Sequence, residues 1–208
     1  MVAVTKTVSA PVIAEAVSFG ITNLGENKVQ EAMGKRAELD GLISSSDSGG
    51  SRAVQHHLLG PLQTNKARKA VELFNLIQTV DRPKVASFLD RVAGELGKRQ
   101  RCLIEVKISP EPTKSGISMS EAPAFIQGFR QYAHLELEGL MTIAPYDLPR
   151  EETRAVFKNF KTFFNSQASH LGPHPILSMG MTDDFEVAIE EGATMVRIGR
   201  GLFGERNV

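Results

Sequence analysis

The chain of 208 residues has no tryptophan, two tyrosines and a single cysteine, Cys102. One thiol cannot close an intramolecular disulfide, which rules out a disulfide-stapled scaffold and fits a reducing compartment. Cys102 lies in the apolar run Cys102-Leu103-Ile104 and reads as a small buried hydrophobe. Neither sign of charge is in excess: 24 Lys and Arg face 24 Asp and Glu, interspersed along the chain. The basic surplus of a general nucleic-acid binder is therefore missing. The one compact basic cluster, Lys66, Arg68 and Lys69, sits in a helical stretch and reads as a solvated face. No apolar run approaches the roughly 18 residues of a membrane span, and the first residues carry no signal-peptide pattern. The expectation is a soluble cytoplasmic protein, without membrane or nucleic-acid partners.

What is present is alternation. Short apolar or β-branched runs fall at 1–6, 21–25, 54–60, 76–80, 101–108, 135–143, 176–179 and 194–199. Amphipathic stretches separate them, among them 11–19, 82–96, 151–168 and 183–191, with Gly20, Gly97 and Gly192 placed as helix stops. Strands alternating with helices imply a parallel sheet with crossover connections. Eight strand candidates favour an α/β fold with a single closed (β/α)8 TIM-type barrel, and an open doubly wound sheet is the alternative. The length suits one domain over 1–208. The serine- and glycine-rich segment 44–51 reads as a flexible loop. Because the pattern begins directly on a strand, a preceding helix is expected to be absent from this chain.

In such a barrel the carboxyl ends of the strands surround one mouth, where the chemistry is placed. Lys6 stands at that end of the first strand, sharing a face with Val2 and Val4. The other strand ends bring Gly25-Glu26-Asn27, His57 with Gly60, Met141 with Thr142, Ser178, and Arg197 with Gly199. The turn Arg197-Ile198-Gly199-Arg200-Gly201 lets backbone N–H groups converge on an anion, and barrels commonly hold phosphate after strands seven and eight. Ser178 offers a hydroxyl to the same group. Asp183 with Glu186 fits a capping box for the helix that follows, with Thr182 as the competing cap. Arg197 points to the inner face, where an arginine requires a polar ligand or a carboxylate such as Glu138. A reactive amine, a phosphate cup and an inward arginine together suggest a phosphorylated aldehyde held as a Schiff base, pyridoxal 5′-phosphate (PLP) being the foremost candidate.

The same residues carry a resemblance. Val4-Thr5-Lys6-Thr7, Gly25-Glu26-Asn27-Lys28-Val29-Gln30-Glu31, the run from His57 to Lys66, Lys114-Ser115-Gly116, Gly139-Leu140-Met141, Leu177 to Asp184 and Val196-Arg197-Ile198-Gly199 resemble the motifs of the pyridoxal phosphate homeostasis protein family, in order along the chain. The resemblance implies a barrel like the amino-terminal domain of alanine racemase, with PLP on Lys6. It implies that Asn27, His57 and Met141 line the cofactor pocket, that Ser178 and Gly199 hold the phosphate, and that Arg197 faces the pyridine nitrogen. Arg200 stands where the family typically has a threonine at the phosphate, so a hydroxyl is replaced by a charge. The family binds and delivers PLP and influences amino-acid and vitamin B6 balance, with PLP-dependent apo-enzymes as the implied recipients. Lys114 is a solvated lysine by composition and a secondary cofactor contact by resemblance.

The residues themselves argue for holding over turnover, so no enzyme is expected, and a monomer is the expected state without a residue that fixes it. A racemase needs proton carriers on both faces of its substrate. Tyr132 falls in a helical stretch, which leaves only Tyr146, past the sixth strand, as a partner for Lys6. A small racemase using Lys6 and Tyr146 is the alternative, and a sugar-phosphate lyase using Lys6 is a third reading. His56 and His57 face opposite sides of a strand, and His170 and His174 have no cysteine companions, so no metal site is expected.

Overall fold

Parallel strands can pair only if each is followed by a crossover, and this chain supplies one after nearly every run. The computed structural model describes residues 1–45, 53–109 and 115–205. Its strands are β1 (Val2–Val4), β2 (Asn23–Glu26), β3 (Gln55–Leu58), β4 (Leu76–Val80), β5 (Gln100–Lys107), β6 (Ile117–Ser118), β7 (Leu135–Met141), β8 (Ile176–Ser178) and β9 (Arg197–Ile198). The order β8-β7-β5-β4-β3-β2-β1-β9 is parallel throughout, with the two-residue β6 pairing only β5. A parallel bridge from Ser178 to Met195 joins the two ends, and the N–H of Met179 bonds to the carbonyl of Met195 at 3.1 Å. The sheet is thereby a closed eight-stranded (β/α)8 barrel, and the open-sheet alternative falls. All eight expected strands are present, and β6 is an addition too short to register as a pattern.

The helices are α1 (Ala10–Ser18), α2 (Val29–Ser45), α3 (Ala67–Leu73), α4 (Pro83–Glu95), α5 (Ala122–Gly128), α6 (Arg150–Ser166), α7 (Phe185–Glu190) and α8 (Arg200–Phe203). Helix α6 shows why they form: Thr153, Phe157, Phe160 and Phe164 recur on one stripe and are buried, while Glu151 and Glu152 complement the dipole of its first turn. Phe157 and Phe160 are fully buried, each removal of a side chain of this size from water being worth about 2–3 kcal/mol. Gly20, Gly97 and Gly192 end α1, α4 and α7 with φ of +97°, +63° and +89°, as expected of helix stops. Of the expected loop at 44–51, residues 44 and 45 close α2, and the rest lies outside the described residues, as does Lys114.

Alternation sorts the side chains. Ala3 and Leu24 face outward into a cluster with Ala10, Ile13 and Leu39 from the helices. Leu76, Leu103 and Met141 pack together, joined by Ile176 and Met195, and fill the barrel's inside. Cys102 faces outward, fully buried in the main core, and burial pushes its thiol pKa up, so it is an inert packing residue. The basic cluster is solvated as expected: Arg68 pairs with Glu95, and Lys69 with Glu72 at 2.8 Å, on half-exposed side chains.

The loops after β2 and β3 touch without side chains between them. A Cβ added at Gly60 would lie 2.1 Å from the carbonyl oxygen of Asn27. Gly60→Ala must therefore push the Asn27 backbone, and we expect a loss of about 1–3 kcal/mol in urea denaturation, the usual cost of overpacking. An unchanged midpoint would show that the two loops separate freely.

Candidate functional site

Arg197 is the centre from which the barrel mouth is built. It follows Met195 and Val196 into β9, its side chain points inward, and the residue is only 4% exposed. Its Nη1 donates to Ser178 Oγ at 2.7 Å and its Nη2 to the Thr142 carbonyl at 2.8 Å. Burial pulls its pKa down to about 10, and Asp184 and Glu105 pull it back through space, so the guanidinium stays charged at neutral pH. The expected partner Glu138 is not its partner. Arg101 of the adjacent strand β5, whose register partner is Glu136, takes both carboxylate oxygens of Glu138, at 2.5 and 2.8 Å. Pairing across neighbouring strands is shorter than a reach from β9 past β8.

From Arg197 a chain of hydrogen bonds runs through the barrel's interior. The Ser178 hydroxyl donates to Gln78 Oε1 at 2.7 Å, and Gln78 Nε2 donates to His57 Nδ1 at 2.9 Å. His57 is thereby the Nε2–H tautomer, and that N–H donates to Asn23 Oδ1 at 3.2 Å. Every donor in the series faces the same way along it. Burial, aided by the charge of Arg101, lowers the His57 pKa to about 4, so the ring is neutral. His56 points to the opposite side, as expected of its neighbour in a strand, and burial also lowers it to about 4.

Lys6 stands just past β1, partly buried, the next residue of the parity that faces Val2 into the barrel against Gly25. Strand β1 lies between β2 and β9, pairing Val4 with Gly25 and Ala3 with Ile198. The amine-bearing turn and the glycine turn at 199–201 are thus neighbours on adjacent strands. In that glycine turn the N–H groups of Gly199 and Gly201 converge on the Thr182 hydroxyl oxygen, each at 3.4 Å. These bonds are long, so both donors remain available to a stronger acceptor such as a phosphate oxygen. Arg200 turns its guanidinium to Asp183 and, at 3.7 Å, Glu205, at the outer rim.

The structure brings Lys6, Asn27, Ser178, Arg197, Gly199 and Arg200 to one end of the barrel, on the strands and turns described. Met141 and His57 are buried within it, at 0% and 3% exposure, Met141 against Leu76 and Leu103. The capping box at Asp183 and Glu186 does not form: the Asp184 carboxylate instead accepts the N–H of Met181 at 2.6 Å, and α7 begins one residue later. Thr182 is freed from capping and serves the glycine turn. Two participants went unread in the sequence: Gln78 and Asn23. Their signal was a polar residue within a buried strand or at its end, as in Leu76-Ile77-Gln78-Thr79-Val80. Among the described residues no group of His, Cys, Asp and Glu could hold a metal ion, and no helix is long and apolar enough to cross a membrane.

The donor set fits a phosphorylated carbonyl compound: an amine on one strand, two converging backbone N–H groups on the next, and a fixed cation one pleat beneath them. That set on a closed parallel barrel defines the class, a barrel of the alanine racemase amino-terminal type. The family model described as the alanine racemase N-terminal domain matches residues 1–207. Alanine racemase of Clostridium difficile shares the fold at TM-score 0.74 and 17% identity, over 100% of this chain and 52% of that one. Nearer relatives narrow the class. The pyridoxal phosphate homeostasis protein of Synechocystis is 39% identical over 99% of this chain and 91% of its own, and that of Escherichia coli K12 is 36% identical over 100% and 86%. PipY of Synechococcus elongatus, solved without PLP, aligns at TM-score 0.87 and 42% identity over 98% of this chain and 91% of its own, and was also solved with PLP bound. The chain belongs to the pyridoxal phosphate homeostasis protein family.

The neutral His57 generates a pH prediction. The unfolded imidazole takes a proton near pH 6.5 and the folded one only near pH 4, so the unfolded state binds more protons between them. Stability is then full above about 6.5 and falls as pH drops, by up to about 3 kcal/mol at pH 4 from this residue. The raised pKa values of buried Glu26 and Glu105 act in the opposite sense at the acid end, so a difference measurement is needed. Urea denaturation of wild type and His57→Gln should show wild type losing about 3 kcal/mol relative to the variant from pH 7 to pH 4. Parallel curves would mean that the folded ring protonates freely.

Proposed function

We propose that this protein binds PLP as a Schiff base on Lys6 and serves intracellular vitamin B6 and amino-acid homeostasis, releasing the cofactor to PLP-dependent apo-enzymes and running no reaction of its own. The observation that carries this reading is the adjacency of the Lys6 turn and the glycine turn at 199–201 over a buried Arg197. When bound, PLP supplies an aldehyde that amines capture reversibly and a ring that draws off electrons when its nitrogen is protonated. In this reading Lys6 Nζ provides the amine, and the N–H groups of Gly199 and Gly201 hold the phosphate after leaving Thr182. Ser178 adds its hydroxyl only by releasing Gln78, and Arg200 adds its charge only by releasing Asp183. Asn27 and Met141 line the pocket, while His57 acts from below, through Gln78 and Ser178, on Arg197.

Holding is favoured over turnover by two features. A guanidinium at the pyridine nitrogen, charged at neutral pH, opposes protonation of that nitrogen and weakens the ring as an electron sink. The phenol a racemase would need opposite Lys6 is poorly situated: Tyr146 is 73% exposed, and Tyr132 packs with Phe129 in the helical layer. PipY, whose structure with PLP bound is similar to this chain, supports the ligand. The reading is completed by a monomer acting in the cytoplasm.

Purified protein mixed with PLP should develop a Schiff-base absorbance band that is absent in Lys6→Ala, and borohydride should fix the label on Lys6. Label on another lysine would overturn the assignment, and trapping of a sugar phosphate without PLP uptake would favour a lyase. Alanine or serine incubated with the loaded protein in deuterium oxide should gain no α-deuterium. Incorporation that depends on Tyr146 would make the protein a racemase.

A further inference from the structure

Behind the wall that carries Lys6, on the outer face of the sheet, three charged residues converge on the turn that presents it. Thr7, immediately after Lys6, has φ of +63°, a left-handed conformation that a β-branched residue adopts only under constraint. The constraint is visible. Glu31, in the first turn of α2, accepts the Thr7 N–H on Oε1. Lys35, one turn further along the same helix, donates to the carbonyls of Thr5 at 2.8 Å and Val8 at 3.3 Å, bracketing the turn. The same ammonium meets Glu31 Oε1 at 3.1 Å and Glu26 Oε1 at 2.8 Å, and Glu26 also accepts the Thr5 hydroxyl. The hydroxyl of Thr7 closes the turn onto the Lys6 carbonyl at 2.6 Å.

We propose that Glu31 and Lys35 are positioning residues that hold the Thr5–Val8 turn in its strained form and so set the direction of Lys6 toward the glycine turn. None of the clamp's side chains faces the barrel interior, so they do not contact a ligand there. Thr5 and Glu26 lie on the helix-facing side of the sheet, of opposite parity to Lys6 and Gly25. The chemistry explains the residue types. An acceptor oxygen is needed at 31 to take the backbone N–H, and as a carboxylate it also meets the ammonium of Lys35, whose three donors serve the carbonyls of Thr5 and Val8 and Glu31, with Glu26 paired beside them. The arrangement also accounts for the two glutamates of Gly25-Glu26-Asn27-Lys28-Val29-Gln30-Glu31, to which the cofactor site itself gives no role. Losing the turn's constraint would let Lys6 sample directions away from the glycine turn, so cofactor capture would fall by the fraction of time spent there.

This inference rests on the proposed role of Lys6, and its test has one arm that needs no cofactor. Hydrogen exchange on the PLP-free protein should show the Thr7 amide exchanging about tenfold faster in Glu31→Ala than in wild type, as expected for one charge-assisted bond, with the β4 and β5 amides unchanged. In Glu31→Gln the amide oxygen still accepts the N–H, so protection of Thr7 should return. In the second arm, PLP affinity should fall about tenfold in Glu31→Ala and recover in Glu31→Gln, with the urea midpoint little altered in either. Unchanged Thr7 exchange in Glu31→Ala would overturn the clamp even if PLP binds. Faster exchange without loss of PLP affinity would overturn the positioning role. If wild type takes up no PLP, the functional reading fails on its own, and the exchange arm still decides whether the clamp exists.

Discussion

A buried guanidinium is the constraint around which this barrel is arranged. Arg197 lies inside a closed sheet, where an unpaired charge would cost several kcal/mol, and its hydrogen bonds run to a hydroxyl and a backbone carbonyl. Neutral acceptors serve only if each is itself oriented. Ser178 can accept from Arg197 because its proton goes to Gln78, and Gln78 is held because His57 is neutral and anchored on Asn23. The polar series thus crosses a barrel otherwise filled by Leu76, Leu103, Met141 and Met195, and it fixes the state of the cation that sits beneath the mouth.

The two sides of the β1 wall divide the work. The inner side carries Val2 and Lys6 toward the mouth, and the outer side carries Thr5 and Glu26 to Lys35. The period of two that makes a strand thus lets a hydrogen-bonding network stand immediately behind Lys6 without entering the barrel. The glycine turn on β9 is governed similarly, by Thr182 in place of a helix cap. Thr182, a cap candidate by local rules, is taken over by that turn.

Much of the fold was legible in the sequence because its signals are local and strong. Apolar runs of strand length separated by amphipathic helices imply a parallel sheet, and eight of them favour closure, which the Ser178–Met195 bridge decides. Gly20, Gly97 and Gly192 marked helix ends because only a left-handed residue fits there. The candidate site was legible where a residue type was out of place for its run: Lys6 at a strand end, Arg197 within a strand, and glycines around it. Glu138 was misassigned because parity places it on the inner face but does not say which neighbour on that face reaches it first. The capping box failed for a related reason. Asp184 binds the Met181 N–H, and a three-residue spacing cannot show which of two adjacent aspartates turns back.

The sequence by itself determined the α/β class, the inner and outer faces of the strands that carry Lys6, His57 and Arg197, and the family, since these depend on periodicity and on motifs read along the chain. Only the tertiary structure decided the partners. Arg197 with Ser178 and Thr142, His57 between Gln78 and Asn23, and Lys35 over the turn of Lys6 all join residues from different strands and helices. Their pairing follows from barrel closure and strand register, which place side chains from distant parts of the chain within about 3 Å of one another. The physical reason is reach: a hydrogen bond acts over one atomic contact, and no spacing along the chain specifies which atoms the closed barrel will bring that near.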